Sequence, residues 1–238
     1  MPLRTQILNF ISYSQFLEDL ILLCIFYDIE KGFYIDVGAN DPNYISVTKA
    51  FYLRNWHGIN IEPLPNKYNL LLKDRPRDIN LQVGVGKTKG NATLYLKEAG
   101  STMIPKFADK NSKSINIKIE TMANICSKYI SRNRNIHFCK IDVEGEEKNV
   151  LSGFDFKNYR PKVFIIESTK PGTNIPSYSD WEYILLEKDY SFAYQYSINR
   201  LYIDNKVPYL KERFLNLNDY IKLYKNIVRG IHFRYGIV

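Results

Sequence analysis

The sequence predicts an α/β fold with a mostly parallel sheet and helices on both faces. Short apolar segments alternate with longer segments whose apolar residues recur at helical spacing. Strands such as Lys162 to Ile166, "KVFII", are apolar throughout, as expected where helices cover both faces of a parallel sheet. Two alternating segments, Phe192 to Tyr196 and Leu201 to Ile203, predict an antiparallel strand pair near the C-terminal end.

In the N-terminal half, helices and strands are expected to alternate. Ser14 is a suitable N-cap for the first helix, and Pro76 ends the third because proline cannot continue a helix. In chain order the expected elements are a helix from Ser14 to Tyr27, a strand from Gly32 to Asp36, a helix from Ser46 to Arg54, a strand from Gly58 to Ile61, a helix from Pro65 to Asp74 and a strand from Ile79 to Val85.

The C-terminal half begins with two segments that alternate apolar and polar residues, which is typical of half-exposed strands. The expected elements are strands from Asn91 to Leu96 and Ile115 to Ile119, a helix from Met122 to Ser131, a strand from His137 to Ile141, a helix ending at Leu151, the strand Lys162 to Ile166, a helix from Trp181 to Lys188 and the antiparallel pair. The basic, aromatic segment from Val207 is expected to be partly helical.

Composition excludes several classes of protein. The chain has 238 residues, of which 45% are hydrophobic and 24% charged, so it can bury the core of one sizeable domain. A net charge of +8 favours acidic partners such as phosphate groups, nucleic acid or anionic lipid, although a lysine-rich surface gives the same value. The three cysteines are isolated, which argues against zinc and disulfides and favours the reducing cytoplasm.

The longest apolar run, Leu20 to Tyr27, is far shorter than the ~20 residues of a membrane span. It also lacks the cleavage pattern of a signal peptide. We therefore expect a cytoplasmic protein without a transmembrane segment.

Acidic residues follow or close four of the expected core strands, namely Asp36, Glu62, Asp142 and Glu167. In parallel sheets, ligands bind at the carboxyl ends of the strands, so these side chains are expected at one edge. One such acid alone could be a helix N-cap, but four carboxylates together repel unless a cationic or hydroxyl-rich ligand lies among them.

The loop after the first strand, "DVGAN", contains one glycine where a dinucleotide fingerprint has three. The missing glycines argue against NAD and FAD and favour a nucleoside ligand without phosphates. Glu62 follows Asp36 at close to the roughly 20-residue spacing at which such folds place the acid that binds ribose hydroxyls. S-adenosylmethionine meets these requirements, because it carries a ribose diol and a sulfonium that carboxylates tolerate.

Several motifs together resemble the FkbM family of S-adenosylmethionine-dependent methyltransferases, in particular its branch from bacterial polysaccharide gene clusters. They are "SQFLED", "YIDVGANDPNYISVTKAFY", "WHGINIEP", "KIDVEGEEKNVLSG" and "RPKVFIIE", and they cover roughly Tyr13 to Glu167. The resemblance implies a Rossmann-like class I methyltransferase fold in a single domain, residues 1–238. Residues 1–30 would form a helical segment over the cofactor site, 31–205 the α/β core and 206–238 a C-terminal tail.

The same resemblance implies a set of cofactor contacts. Asp36, Gly38 and Asn40 would border the methionine portion, and Glu62 would bind the ribose. The remaining contacts would be Ser46 at the start of the next helix, Asp78 beside the adenine, and Gln15 and Asp19 closing over the cofactor. The chain departs from the family pattern at Asp41-Pro42, which makes this loop stiffer.

Candidate catalytic residues are Asp142, Glu144 and Glu167. We expect Asp142 beside the transferred methyl group, and Glu144 or Glu167 as the general base for the hydroxyl proton. The alternative for Glu144 and its neighbours is that they are first-turn acids complementing a helix dipole. The three acids could also hold a divalent metal, but we predict no metal.

Acceptor recognition is expected in two long polar loops, Glu98 to Lys113 and the loop after Glu167. The predicted substrate-binding residues are Ser101, Thr102, Lys106 and Lys170. The leading hypothesis is O-methylation of a sugar, either as a nucleotide-sugar or in a surface polysaccharide or capsule precursor.

Three other roles are considered. One is methylation of a nitrogen or of a non-sugar hydroxyl, such as a phosphoramidate or polyketide oxygen. Another is nucleic-acid binding, suggested by the +8 charge and 19 tyrosines; we predict no nucleic-acid partner, because an acid-lined cleft repels phosphates. Peripheral membrane contact through the basic C-terminal segment is compatible with the leading hypothesis.

Overall fold

A seven-stranded sheet organises the protein. The computed structural model describes residues 1–97 and 100–235. The strands of these residues are β1 (Phe33–Val37), β2 (His57–Ile61), β3 (Ile79–Leu81), β4 (Gly84–Val85), β5 (Gly90–Tyr95), β6 (Ser114–Glu120), β7 (Ile136–Ile141), β8 (Pro161–Glu167), β9 (Tyr190–Tyr196) and β10 (Asn199–Asp204). The main sheet has the order β3-β2-β1-β7-β8-β10-β9.

The main sheet is parallel except at one strand. β1, β2, β3, β7 and β8 pair in parallel, whereas β10 is antiparallel to both β8 and β9. The chain order reverses between β1 and β7, which creates the switch point where ligands bind in such sheets. The predicted Rossmann-like α/β fold, including the antiparallel C-terminal pair, is therefore confirmed.

Helices cover both faces of this sheet. They are α1 (Leu3–Leu8), α2 (Glu18–Phe26), α3 (Lys49–Leu53), α4 (Pro65–Asp74), α5 (Met122–Tyr129), α6 (Glu147–Ser152), α7 (Glu182–Glu187) and α8 (Leu217–Tyr235). One core contains residues of α5, α6 and α7, and the other contains residues of α2 and α8. Short 3-10 turns lie at Pro105–Phe107, Tyr178–Asp180 and Pro208–Phe214.

The predicted start of the first helix, Ser14, is wrong. The α2 helix begins at Glu18, after Leu17 in a left-handed conformation with φ of 63°, and Ser14 is not its N-cap. The buried Asp19 carboxylate instead accepts hydrogen bonds from the Ser12 and Ser14 hydroxyls, each at 2.7 Å, and from the Tyr13 amide at 2.6 Å. These bonds hold the chain as a loop, because the hydroxyl that could cap the helix binds a side chain.

The third predicted strand, Ile79 to Val85, is two strands in two sheets. β3 extends the main sheet, and the chain then leaves it, so that β4 pairs with β6 in a three-stranded sheet of order β4-β6-β5. This small sheet buries its own apolar cluster, centred on Leu94, Ile117 and Ile119. It therefore forms a wall beside the carboxyl edge of the main sheet.

The N- and C-terminal segments pack together on one face of the main sheet. Residues 1–30 supply an α2 helix that is buried along its whole length, and none of them lines the cavity described below. The expected tail, 206–238, contains α8, which buries Leu217 and Ile221 against the same core. Among the described helices, none is long and apolar enough for a membrane span.

Candidate active site

A cavity opens at the carboxyl ends of β1, β2 and β7, where the strand order reverses. It contains about 810 Å³ of empty space including its mouth. Its polar side is lined by Gly38, Asn40, Glu62, Lys140, Asp142 and Glu144, and its apolar side by Leu64, Val83, Leu94, Met103 and Ile117.

Gly38 is required where β1 turns into this cavity. Its φ is +77°, and a methyl group in place of its hydrogen would lie 1.9 Å from the carbonyl oxygen of Asp142. The Gly38 amide donates to the Ile61 carbonyl at 3.0 Å. The single glycine of "DVGAN" thus allows three strand ends to approach each other closely.

Glu62 connects two loops at the cavity wall. One carboxylate oxygen accepts from the Asn40 amide at 2.8 Å and the other from the Leu64 amide at 2.9 Å. Burial raises the pKa of Glu62 above its ordinary value. Because a carboxylate oxygen has two lone-pair sites, each still has one for a ligand.

The unusual Asp41-Pro42 step is fixed from both sides. Asp41 accepts from the amides of Asn43 and Tyr44, at 2.9 and 3.1 Å, and forms an ion pair with Lys67 at 3.0 Å. The buried Arg75 donates to the Pro42 carbonyl. The loop that follows "DVGAN" is therefore anchored by side chains.

Lys140 lies between the strand ends. Its Nζ donates to the Gly38 carbonyl at 2.6 Å and lies 3.5 Å from both Asp36 Oδ1 and Asp142 Oδ2. Burial by itself would lower the pKa of Lys140, but the carboxylates of Asp142 and Asp36 outweigh it and the pKa lies above its usual range. The lysine stays charged and fixes the shape of the β1 turn.

Asp36 lies within β1 rather than closing it. Its carboxylate is buried and accepts from the Thr48 hydroxyl at 2.9 Å, and it is not among the residues that line the cavity. Asp36 therefore contributes to the cavity by holding the Lys140 ammonium group, which does line it.

Acidic side chains crowd the end of β7. The Asp142 side chain is 41% exposed, whereas Glu147 is buried and accepts from the amides of Gly145 and Val143, at 3.1 and 3.3 Å. Burial, followed by the charges of Asp142 and Glu147, raises the pKa of Glu144 to about 7. Burial likewise raises the pKa of Glu147 to about 7.

Glu167 is unsuited to the predicted role of general base. Burial, and then the charges of Asp142, Glu144 and Glu147, raise its pKa well above its ordinary value. A carboxyl group that stays protonated at neutral pH donates rather than accepts a proton. Within the described residues, its Oε2 has no hydrogen-bond partner, and the residue does not line the cavity.

The loop from Glu98 to Lys113 reaches the cavity, although Glu98 and Ala99 lie outside the described residues. Gly100, Ser101 and Met103 line it. The buried Thr102 hydroxyl donates to the Glu144 carbonyl at 2.9 Å, which fixes this loop to the end of β7. Thr102 therefore positions the loop, whereas Ser101 faces the space where a ligand fits.

Other predicted site residues lie elsewhere. Neither the exposed Gln15 nor the buried Asp19 lines the cavity. Ser46 precedes α3 and accepts from Arg75 at 3.2 Å. Asp78 is buried and accepts from Tyr34, Gly58 and Asn60, at 2.6, 2.9 and 2.9 Å.

Asp19, Asp78 and Ser46 accept hydrogen bonds from other protein groups and lie away from the cavity. The two predicted substrate lysines, Lys106 and Lys170, are exposed and do not line the cavity. No group of three or more His, Cys, Asp or Glu is arranged to hold a metal ion within the described residues.

Sequence reasoning missed Lys140 and the apolar wall. Lys140 precedes "IDVEGEE" in the same motif, and a lysine two positions before Asp142 on a buried strand is a signal that the sequence contains. The wall could not be predicted, because it depends on the chain leaving the main sheet after β3.

The fold and cavity together define an α/β protein with an acid-lined, partly apolar cavity at the topological switch point. A family model, the methyltransferase FkbM domain, matches residues 36–192. The chain belongs to the FkbM methyltransferase family.

Two solved structures are similar to this chain. One is a methyltransferase FkbM from Methylobacillus flagellatus, with 14% identity and a TM-score of 0.46 over 85% of this chain and 58% of that chain. The other is Sp1610 of Streptococcus pneumoniae, a proposed tRNA methyltransferase, with 10% identity and a TM-score of 0.39 over 96% and 90% of the two chains. This chain thus matches a little over half the length of the M. flagellatus protein. No match was found among curated proteins.

Proposed function

We propose that this protein is an S-adenosylmethionine-dependent O-methyltransferase whose acceptor is a hydroxyl group of a sugar, as a nucleotide-sugar or in a polysaccharide precursor. The observation that supports the cofactor best is the position of Glu62. Its carboxylate closes β2 at the wall of the switch-point cavity and retains lone pairs for a ribose diol.

The remaining lining residues fit the same cofactor. Val83, Leu94 and Ile117 provide an apolar wall for a flat base, whereas Asp142 and Glu144 lie on the polar side. Three carboxylates and one lysine line the cavity, which favours a ligand with positive charge. The cofactor, when bound, supplies a methyl group that moves from sulfur to the acceptor oxygen and leaves S-adenosylhomocysteine.

Glu144 is the proposed general base. Its pKa of about 7 places it close to the operating pH, where a base combines a useful deprotonated fraction with sufficient basicity. The half-exposed Asp142 remains next to the reaction centre and is held by Lys140. The β1 turn, with Gly38 and Asn40, closes the site beneath them.

Calorimetric titration with S-adenosylmethionine tests the cofactor assignment. We expect wild-type binding and a loss of about 10- to 100-fold in affinity for Glu62→Ala, the range for a charged hydrogen bond of about 1.5–3 kcal/mol. Glu187→Ala, which removes an exposed acid on α7, is the matched control and should bind as wild type does. Circular dichroism of each variant checks the fold, since Glu62 also holds two backbone amides.

Two results would contradict the assignment, namely no binding to the wild-type protein and equal binding to a folded Glu62→Ala variant. The sugar part of the proposal is supported by the motifs shared with the polysaccharide-cluster branch. A methylation assay across nucleotide-sugars and oligosaccharides tests it separately, and transfer only to amines or non-sugar hydroxyls would overturn it.

A further inference from the structure

A second pocket lies at the same carboxyl edge of the main sheet, beyond β8. We call it the β8 pocket; it contains about 540 Å³ of empty space including its mouth. Its lining consists of Ser168, Thr169, Asn174, Pro176, Tyr178, Gln195, Ser197 and Ile198. These residues come from the loop after β8 with its 3-10 turn at Tyr178, from the end of β9 at Gln195, and from the turn between β9 and β10.

One buried polar atom in this lining has no protein partner. Thr169 is 7% exposed, and its hydroxyl makes no hydrogen bond within the described residues. A buried hydroxyl without a partner is uncommon in folded proteins, because leaving it unpaired costs about 1–3 kcal/mol. The oxygen itself is covered in the structure, so a group bound in the pocket reaches it only after a small shift of the lining.

Arg200 fixes two of the other lining side chains. Its guanidinium carbon lies 3.8 Å from the centre of the Tyr178 ring, and its Nη1 donates to Gln195 Oε1 at 3.1 Å. The ion pair between Arg200 and Glu182, at 2.7 Å, neutralises the guanidinium behind the pocket. The amide oxygen of Gln195 is thus occupied, and its NH₂ group is the part available for a ligand.

The eight lining residues, all within the described part of the chain, include no ionised side chain. The lining offers both donors and acceptors beside one aromatic ring: the Gln195 NH₂ group can donate, and the Ser168 hydroxyl, which donates to the Ile198 carbonyl at 2.6 Å, can accept. A phosphate would find no cation here, whereas the hydroxyl groups of a sugar ring need both donors and acceptors. The pocket therefore fits a neutral, hydroxyl-rich ligand.

The loop that begins the β8 pocket also lies close to the candidate active site, although the two cavities share no lining residue. Its lining begins at Ser168, directly after Glu167, whose pKa is raised in part by the charges of Asp142 and Glu144. In the same loop, Pro171 lies 3.4 Å from the position that a side-chain carbon on Gly145 would occupy. A ligand that occupies both the β8 pocket and the candidate active site would therefore lie along one edge of the main sheet.

We infer that the β8 pocket binds a neutral sugar unit of the acceptor, next to the unit that receives the methyl group. This inference rests on the proposed function. It narrows the acceptor to a saccharide of at least two units, because the reacting hydroxyl lies at Asp142 and Glu144 while the pocket holds its neighbour. A monosaccharide attached to a nucleotide would leave the β8 pocket unused.

Saturation-transfer NMR with lactose, maltose and cellobiose tests the inference on the wild-type protein. We expect transfer to at least one of these neutral disaccharides and a reduction of at least about fivefold in Thr169→Val, which keeps the side-chain shape and removes the hydroxyl. Thr93→Val changes an exposed threonine on β5 in the same way and should leave the signal intact. Gln195→Ala, at an exposed position, provides a second variant that should also reduce transfer.

The inference is overturned if none of the three disaccharides shows transfer. It is also overturned if Thr169→Val and Gln195→Ala both keep the full signal, since water alone would then satisfy Thr169. Calorimetric titration with S-adenosylmethionine is run on the same samples. Retained cofactor binding without sugar binding contradicts only the β8 pocket, whereas absent cofactor binding contradicts the proposed function.

Discussion

Glu144 combines three properties in one residue. It lines the cavity, its pKa is raised to about 7 by burial and then by Asp142 and Glu147, and its φ of 55° is left-handed. A left-handed conformation at a non-glycine residue is strained and is often found at functional sites. Thr102 holds the Glu144 carbonyl at 2.9 Å, which keeps the backbone in this conformation.

The proposed role of Glu144 as general base predicts how methyl transfer depends on pH. A base with a pKa of about 7 is protonated at pH 6, so kcat should rise with pH and level off above about pH 8. Glu144→Gln should lower kcat by about 10²- to 10⁴-fold and remove the rise near pH 7. The measurement is a pH profile of kcat with the best acceptor from the oligosaccharide assay.

Glu146→Gln is the control for this profile, because Glu146 is the next acid along the chain and does not line the cavity. It should keep both the rate and the pH dependence. A Glu144→Gln enzyme with an unchanged profile would show that another group removes the proton.

For single residues, the sequence predicts some of those that line the cavity, but it does not show which acids are already hydrogen-bonded within the protein. Glu62, Gly38 and Asn40 lie at the cavity as expected from a turn at a strand end. Asp78 and Asp19 are equally acidic, but the fold gives each of them several protein donors. Only the packing around a carboxylate shows whether its lone pairs remain available, and spacing in the sequence carries no such information.

At the scale of elements, α8 covers one face of the sheet together with α2. Leu217 is fully buried in this contact, whereas Leu215, two residues earlier, is 79% exposed. Replacing each leucine by alanine tests how much the packing of α8 contributes to the free energy of unfolding. The two substitutions remove the same atoms, one set from the core and the other from the surface.

We expect Leu217→Ala to lower the free energy of unfolding by about 2–5 kcal/mol, through lost burial and the remaining cavity. Leu215→Ala should change it by no more than about 0.5 kcal/mol. Urea unfolding followed by circular dichroism measures both. Equal effects of the two substitutions would show that α8 is not docked on the core in solution.

The elements were predictable where local signals and tertiary structure agree. α4 has the predicted bounds, Pro65–Asp74, because proline starts it and a proline follows it. The apolar run from Ile79 to Val85 predicts one strand, but Gln82 and Val83 separate two strands that pair in different sheets. Pairing partners far along the chain decide such a break, and an apolar run does not reveal them.

Across the whole molecule, buried acids control how stability depends on pH. Burial raises the pKa values of Glu18, Asp19, Glu62, Asp78, Glu144, Glu147 and Glu167. The folded protein thus binds more protons than the unfolded chain, so the free energy of unfolding falls as pH rises through these pKa values. His137, whose pKa burial lowers to about 4, acts in the opposite direction, but only below its ordinary value of 6.5.

Between pH 6.5 and 8.5 the acids therefore dominate, and we expect the free energy of unfolding to fall by an amount on the order of 1–3 kcal/mol. Glu147→Gln should reduce this slope, since the amide oxygen can still accept from Gly145 while the titrating group is gone. Urea unfolding at several pH values measures it, with Glu146→Gln as the control that should keep the slope. A free energy that rises with pH would contradict the raised pKa values of these buried acids.

The contact between the Ser12 amide and the Tyr224 hydroxyl, at 3.3 Å, joins residues 212 positions apart. During translation, Tyr224 is made roughly 10 to 40 s after Ser12, at a synthesis rate of about 5–20 residues per second. The apolar face that α2 presents to α8 stays uncovered for that time. Any contact made by that face before α8 emerges therefore competes with the native contact between α2 and α8.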